Sequence, residues 1–232
     1  MYYLNYAIES DSSSMGFPYD YTSLLHYGPY EMSIYPGQAV IVPKDPAYNE
    51  TMGNYYPSFY DISRVNAMYK CDARCSSSNT VCYNNGVKDV NDCTRCRCPG
   101  GYGGRDCSGD PEGAVVLTAT SQEQTYSTTL GEMNDPVSID YAFKHIIIKA
   151  PSSQKIVVKV SYMWASYDPL CKYGGLEMFT KVDTRMGPPR ICAMNMVAPS
   201  YTSESNRFYM TMFNRIYQVQ ETFTYRLEFL ST

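Results

Sequence analysis

The sequence has little of several things that would announce a function. It holds one tryptophan and two histidines in 232 residues. Its 19 Lys and Arg are scattered, with no basic run, and the net charge is -4. Binding to nucleic acid needs clustered cations that displace counterions, so that class is excluded. A polybasic contact with a membrane surface is excluded on the same ground. The longest pure aliphatic run is Ile146-Ile147-Ile148, far short of the roughly 20 apolar residues that cross a bilayer, so no membrane insertion is expected. The first ten residues, from Met1 to Ser10, carry neither a positive n-region nor an apolar h-region, so no secretory leader is read there.

The cysteines point the other way. There are nine, and seven lie between Cys71 and Cys107. Such density in a short stretch is how small extracellular modules hold together. A disulfide protein without a leader is expected to be a mature form or an incomplete chain, and the odd count leaves one cysteine over. Tyrosine is abundant, 24 residues against eight Phe, which suits β-sheet packing because the ring is apolar and its tip polar. Asn49-Glu50-Thr51 is the single N-glycosylation sequon, which would place Asn49 on a surface loop of a secreted chain.

Three segments follow from local pattern. Residues 1–71 carry one helix signal: Ser58 as N-cap, Asp61 three residues on, then Ile62, Val65, Met68 and Tyr69 at helical spacing. Residues 34–42, with Pro36-Gly37, read as a loop or hairpin. Residues 72–108 are the cysteine-rich segment, and the glycines and proline of 108–113 read as a linker. Residues 113–232 are strand-like. In 155–163, Ile156, Val158, Val160 and Tyr162 form one alternating row. In 222–230, Phe223, Tyr225, Leu227 and Phe229 form another. Further runs lie at 114–120, 142–148, 176–182 and 208–213. Short strands with no helix between them predict a β-sandwich.

The cysteine spacing is Cys75, Cys82, Cys93, Cys96, Cys98, Cys107, with Pro99-Gly100-Gly101-Tyr102-Gly103-Gly104 in the last loop. By spacing alone, six cysteines allow 15 pairings, and zinc held by Cys93-x-x-Cys96 is a rival reading. The C-x-C step and the glycine and aromatic turn resemble the epidermal-growth-factor-like (EGF-like) domain. That resemblance implies Cys75–Cys93, Cys82–Cys96 and Cys98–Cys107. A 33-residue piece is too small to fold on its core alone, and three crosslinks at about 2–4 kcal/mol each can take its place. Asp72 alone does not make the acidic pattern of the calcium-binding version.

Upstream, Pro18-Tyr19-Asp20-Tyr21-Thr22-Ser23-Leu24-Leu25-His26-Tyr27-Gly28 resembles the methionine turn of the astacin family of zinc metalloendopeptidases. Met52-Gly53, Ser58 to Ile62, Val65-Asn66 and Met68-Tyr69-Lys70-Cys71 resemble that family's closing segment. The resemblance implies a role for Tyr27, the turn tyrosine that binds resting zinc and then hydrogen-bonds the developing oxyanion. It also implies a zinc helix, H-E-x-x-H-x-x-G-x-x-H, that this sequence lacks. His26 sits in the turn and is not a family ligand, His145 reads as structural, and Leu25 stands where methionine is usual, a change of similar size. The family partner of Cys71 would lie upstream of Met1, so Cys71 is expected to be unpaired and the chain N-terminally incomplete.

Cys171 and Cys192, with Gly175-Leu176-Glu177-Met178-Phe179 between them, resemble the second half of a CUB domain and imply a Cys171–Cys192 bond. Gly174 stands where calcium-binding versions place an aspartate, so no calcium is expected.

The expected fold is therefore multidomain: a partial α+β metalloprotease subdomain at 1–71, a disulfide-rich EGF-like module at 72–108 and an all-β CUB-like sandwich at 113–232. The expected function is that of a secreted, extracellular zinc metalloendopeptidase acting on protein or peptide substrates, with this chain catalytically incomplete and holding no zinc itself. The alternative is a non-catalytic extracellular binding protein. Having lost their packing partner, residues 1–50 are expected to be loosely ordered beside a firm cysteine module and sandwich.

Overall fold

The computed structural model describes residues 7, 9–192 and 200–228. Its N-terminal part is mostly turns. Up to residue 58 the described residues form a short 3-10 helix at Pro46–Tyr48 and no strand; residues 34–42 are a loop rather than a hairpin. Then comes helix α1, Phe59–Met68. Its start follows the sequence signal: Ser58 Oγ accepts from the Asp61 N–H, and the Asp61 carboxylate accepts from the Ser58 N–H. The apolar stripe of α1 turns outward, with Ile62, Val65, Met68 and Tyr69 exposed, while Tyr60 is buried.

The cysteine module has two short antiparallel strands, β1 (Val87–Asp89) and β2 (Asp92–Arg97). Its disulfides join Cys75 to Cys93, Cys82 to Cys96 and Cys98 to Cys107. Ser78 and Thr80 both donate to the Cys93 carbonyl, which ties the first loop to β2.

The remaining strands are β3 (Val115–Thr118), β4 (Gln124–Gly131), β5 (Ala142–Lys149), β6 (Ile156–Trp164), β7 (Gly174–Phe179), β8 (Arg190–Ile191), β9 (Ser200–Thr202), β10 (Arg207–Asn214) and β11 (Gln218–Leu227). They make two sheets, ordered β3-β5-β10-β7-β8 and β4-β11-β6-β9. All pairings are antiparallel except β3 with β5. The inner rows of the two sheets meet in one core that includes Ile146, Val158, Met178, Phe208, Met210 and Phe223, as period-two strands require.

One expected row and one expected strand end need correction. On β6, Tyr162 is exposed and Met163 is buried. β11 pairs Thr222 with Tyr162 but Phe223 with Val160, so Ser161 is an extra residue on β6. This bulge shifts the alternation by one, and Tyr162 swings to the outer face. On β11, Phe223 and Tyr225 do face inward, while Phe229 lies outside the described residues. The strand expected at 176–182 ends at Phe179.

The outer face of the larger sheet is covered. β10 is buried along both faces from Phe208 to Asn214, because other modules lie on it. The Tyr56 ring meets Tyr141, Phe143 and Phe213 edge-on. The glycine-rich turn of the cysteine module presses on the same face. A Cβ at Gly100 would lie 2.5 Å from the Phe179 ring and one at Gly101 2.8 Å from that of Tyr209, so only glycine allows this approach. Asp110 in the linker then pairs with Lys149 at 2.7 Å and Arg207 at 2.8 Å.

Candidate functional site

The turn from Pro18 to Gly28 is held from beneath by acid-centred hydrogen bonds. Asp20 is buried. Its Oδ1 accepts from the Thr22 N–H at 2.9 Å and the Thr22 hydroxyl at 2.6 Å, and its Oδ2 accepts from Ser58 Oγ at 2.6 Å. Asp61, in the first turn of α1, accepts from Ser23 Oγ at 2.6 Å and the Leu24 N–H at 2.8 Å. Two carboxylates and one capping serine thus fix the turn to the helix N-terminus. Carboxylates with this many donors are satisfied, and such charge-assisted bonds are the stronger kind.

The turn's outer side carries Tyr19, His26 and Tyr27. His26 Nδ1 lies 2.6 Å from the Tyr27 carbonyl and Nε2 lies 2.5 Å from the Tyr19 hydroxyl. A carbonyl can only accept, so Nδ1 carries a proton, and in the neutral ring Nε2 accepts from Tyr19. Burial, then the neighbouring Tyr21, raises the Tyr19 phenol above its ordinary value, which keeps it a donor. Tyr27 projects to solvent, 58% exposed, and Leu25 beside it is 86% exposed.

Behind the turn, Asn54 acts as a hub. Its Nδ2 donates to the Thr22 carbonyl at 2.7 Å and the Tyr56 carbonyl at 2.8 Å, and its Oδ1 accepts from Arg190 Nη1 at 2.8 Å. Arg190 is buried and ion-pairs with Glu177 at 2.7 Å, and Tyr56 donates to the same Glu177 oxygen at 2.7 Å. Burial works against the Arg190 cation, but the charges facing it, that of the Glu177 carboxylate among them, outweigh burial and raise its pKa. Burial pushes the Tyr56 phenol well up, so it stays protonated and donating. Sequence reasoning missed Asn54, Glu177 and Arg190 as a unit: nothing in their local pattern relates residues 136 apart.

The other sequence-predicted residues fall apart from the turn. Asn49 is exposed on the loop after the 3-10 helix. The hydroxyl of its sequon partner Thr51 is buried and accepts from the Arg190 N–H at 3.1 Å. Cys171 and Cys192 form a disulfide, and the Cys192 N–H donates to Glu50 at 2.7 Å. Burial raises the Glu50 carboxyl, with that N–H pulling it back. Cys71 is a free thiol, partly exposed, at the start of a 3-10 helix, Cys71–Cys75. His145 lies on β5 and faces the Tyr209 hydroxyl at 2.8 Å.

Residues 2–70 match the family model of Astacin, a family of peptidases. The chain carries the C-terminal part of an astacin-family domain. Curated relatives extend the likeness past that part. Zinc metalloproteinase nas-31 of Caenorhabditis elegans is 31% identical over 91% of this chain and 35% of its own length. Zinc metalloproteinase nas-16 of the same organism is 33% identical over 90% of this chain and 46% of its own. The chain therefore spans about a third to a half of the length of these relatives. Among solved structures, the CUB1-EGF-CUB2 domains of rat MASP-1 align with a TM-score of 0.36 and 11% identity, over 50% of this chain and 44% of that one. No helix among the described residues is long and apolar enough to cross a membrane.

The astacin relationship implies zinc, and the donors present do not fit a zinc centre of three imidazoles. The chain has two histidines; both ring nitrogens of His26 are engaged, and His145 belongs to the sandwich. Among the described residues, the one cluster of metal-type side chains is Glu50, Cys171 and Cys192. Its two sulfurs are joined to each other, so they are not thiolate ligands.

Proposed function

We propose that this chain serves a secreted zinc metalloendopeptidase, carrying the tyrosine turn of its cleft and the joint that holds it, and that these 232 residues alone do not hydrolyse peptide bonds. The observation that carries this reading is the turn itself: Tyr27 projects to solvent from a backbone pinned by Asp20, Asp61 and Asn54. A phenol carried on a backbone so held can donate one hydrogen bond to an oxygen that gains negative charge, and a turn fixed in advance lowers the reorganisation that this needs. The metal and general base of the reaction are contributed by residues other than these. Four disulfides support an oxidising, extracellular setting, where the substrates are proteins or peptides.

The purified chain, supplied with zinc, is expected to leave a casein substrate uncut. Zinc-dependent cleavage that a chelator abolishes would overturn the reading of the chain as catalytically incomplete. In an active peptidase containing this sequence, Tyr27→Phe is expected to lower kcat by about tenfold or more with KM little changed, the pattern of an interaction made in the transition state.

A further inference from the structure

The turn that carries Tyr27 rests against the β-sandwich at three points. The first is polar. Arg190 on β8 points Nε and Nη2 at Glu177, at 3.0 and 2.7 Å, and its third nitrogen, Nη1, at Asn54. Asn54 passes the contact to the Thr22 carbonyl. The second is a flush surface. A Cβ on Gly187, in the loop between β7 and β8, would run into the side chain of Thr22, meeting its Oγ1, Cγ2 and Cβ. The third lies beside Tyr27. The Cβ position of Gly28 is 3.0 Å from Leu170 Cδ1, and that of Gly53 is 3.2 Å from the same methyl and 2.9 Å from Gly28 Cα. Both ends of the Thr22–Gly28 stretch therefore touch the sandwich, and Leu170 directly precedes the disulfide-bonded Cys171.

We propose that Arg190, Gly187 and Leu170 are positioning residues for the Tyr27 turn, so that the β-sandwich sets the geometry of a group in the protease part of the chain. Tyr27's part in catalysis rests on the reading above; the seating of the turn does not. The polar link is directional: a planar guanidinium with two nitrogens fixed on Glu177 has one direction left for the third. The two packed contacts are close enough that a single added or removed carbon is felt. A freely tethered binding tail would show neither feature.

The two histidines provide the test, because one reports the turn and the other the sandwich. The full chain is labelled with 15N-histidine and its imidazole resonances are recorded. In its neutral form His26 is expected as the Nδ1–H tautomer alone, held by the Tyr27 carbonyl and the Tyr19 hydroxyl, and His145 reports its contact with Tyr209. Gly187→Ala drives a methyl into Thr22, and Leu170→Ala removes the seat of Gly28. In each variant His26 is expected to lose its single-tautomer signature while His145 stays put. The Leu24 amide, which donates to Asp61, is expected to exchange about tenfold faster, as a loosened local structure does. Leu170 is only partly buried, so its truncation keeps the test decisive if Gly187→Ala does not fold. Unchanged His26 signals in Leu170→Ala, or joint movement of His26 and His145 there, would overturn the proposal. A peptidase containing this sequence that keeps its rate with Tyr27→Phe would instead overturn the catalytic reading and leave the seating intact.

Discussion

Replacing Glu221 with glutamine is expected to remove a pH dependence from the stability of the sandwich. Glu221 lies on the inward row of β11 with Val219, Phe223 and Tyr225, and it is buried. Neither carboxylate oxygen has a hydrogen-bond partner. The neighbouring cation, Lys144, commits its ammonium to the Thr128 hydroxyl and the Thr129 carbonyl. Burial therefore pushes the Glu221 carboxyl up from 4.5 to about 8, with Lys144 pulling it slightly back. A folded-state pKa above the unfolded one means that the folded protein binds more protons between these values. Stability is then fullest below about 4.5, falls as pH rises, and is lowest above about 8. At 1.36 kcal/mol per unit, ionisation costs about 3 kcal/mol at pH 7. Glutamine carries its own buried amide, but that cost does not change with pH. The readout is thus the slope. Urea unfolding followed by the single tryptophan, Trp164 on β6, should show Glu221→Gln gaining about 3 kcal/mol on the parent between pH 4.5 and 7. A difference between the two proteins that stays constant over this range would refute the assignment of a buried, proton-holding carboxyl.

Two further outcomes follow from the packing. Ser58→Ala removes the α1 cap and one donor to buried Asp20, and should cost about 2 kcal/mol in urea unfolding, against about 1 for an ordinary cap; Ser58→Thr should recover most of it. In native-state amide exchange, residues 31–42, nearly all exposed, should exchange fastest, while the bonded amides of Thr22, Leu24 and Ser58 should be protected. Uniformly fast exchange from residue 18 to 58 would count against the network described for the turn, and uniformly slow exchange across the whole chain against any loose segment.

Much of the fold was legible where local pattern and burial agree. The Ser58 and Asp61 signal marked the start of α1 because a cap is a contact between residues three apart. Strands β5, β6, β10 and β11 were marked by β-branched and aromatic residues. β4 escaped notice because its inward row, Gln124, Tyr126, Thr128 and Leu130, is half polar and only partly buried. The exposed Tyr162 could not be foreseen, since the bulge at Ser161 depends on the partner strand. Glu221 could have been found: it shares parity with Phe223 and Tyr225, and a charge on that row was the available signal. The site divides in the same way. The turn motif around Tyr27 is a contiguous string, whereas Asn54, Glu177 and Arg190 meet only through tertiary folding.

The composition of the joint bears on why it is polar at all. A buried Arg–Glu pair is a weak source of stability, since taking both ions out of water costs about as much as their attraction returns. What the pair supplies here is direction. Arg190 stacks over the Tyr56 and Phe213 rings at 4.8 and 5.0 Å, and its nitrogens are divided between Glu177 and Asn54. An apolar substitute could fill the same space and slide; this arrangement is satisfied in one register only, because a shift strands a charge without its partner. The astacin part therefore meets the sandwich in a fixed orientation, and the cost of losing that orientation falls on the residues that stand behind Tyr27.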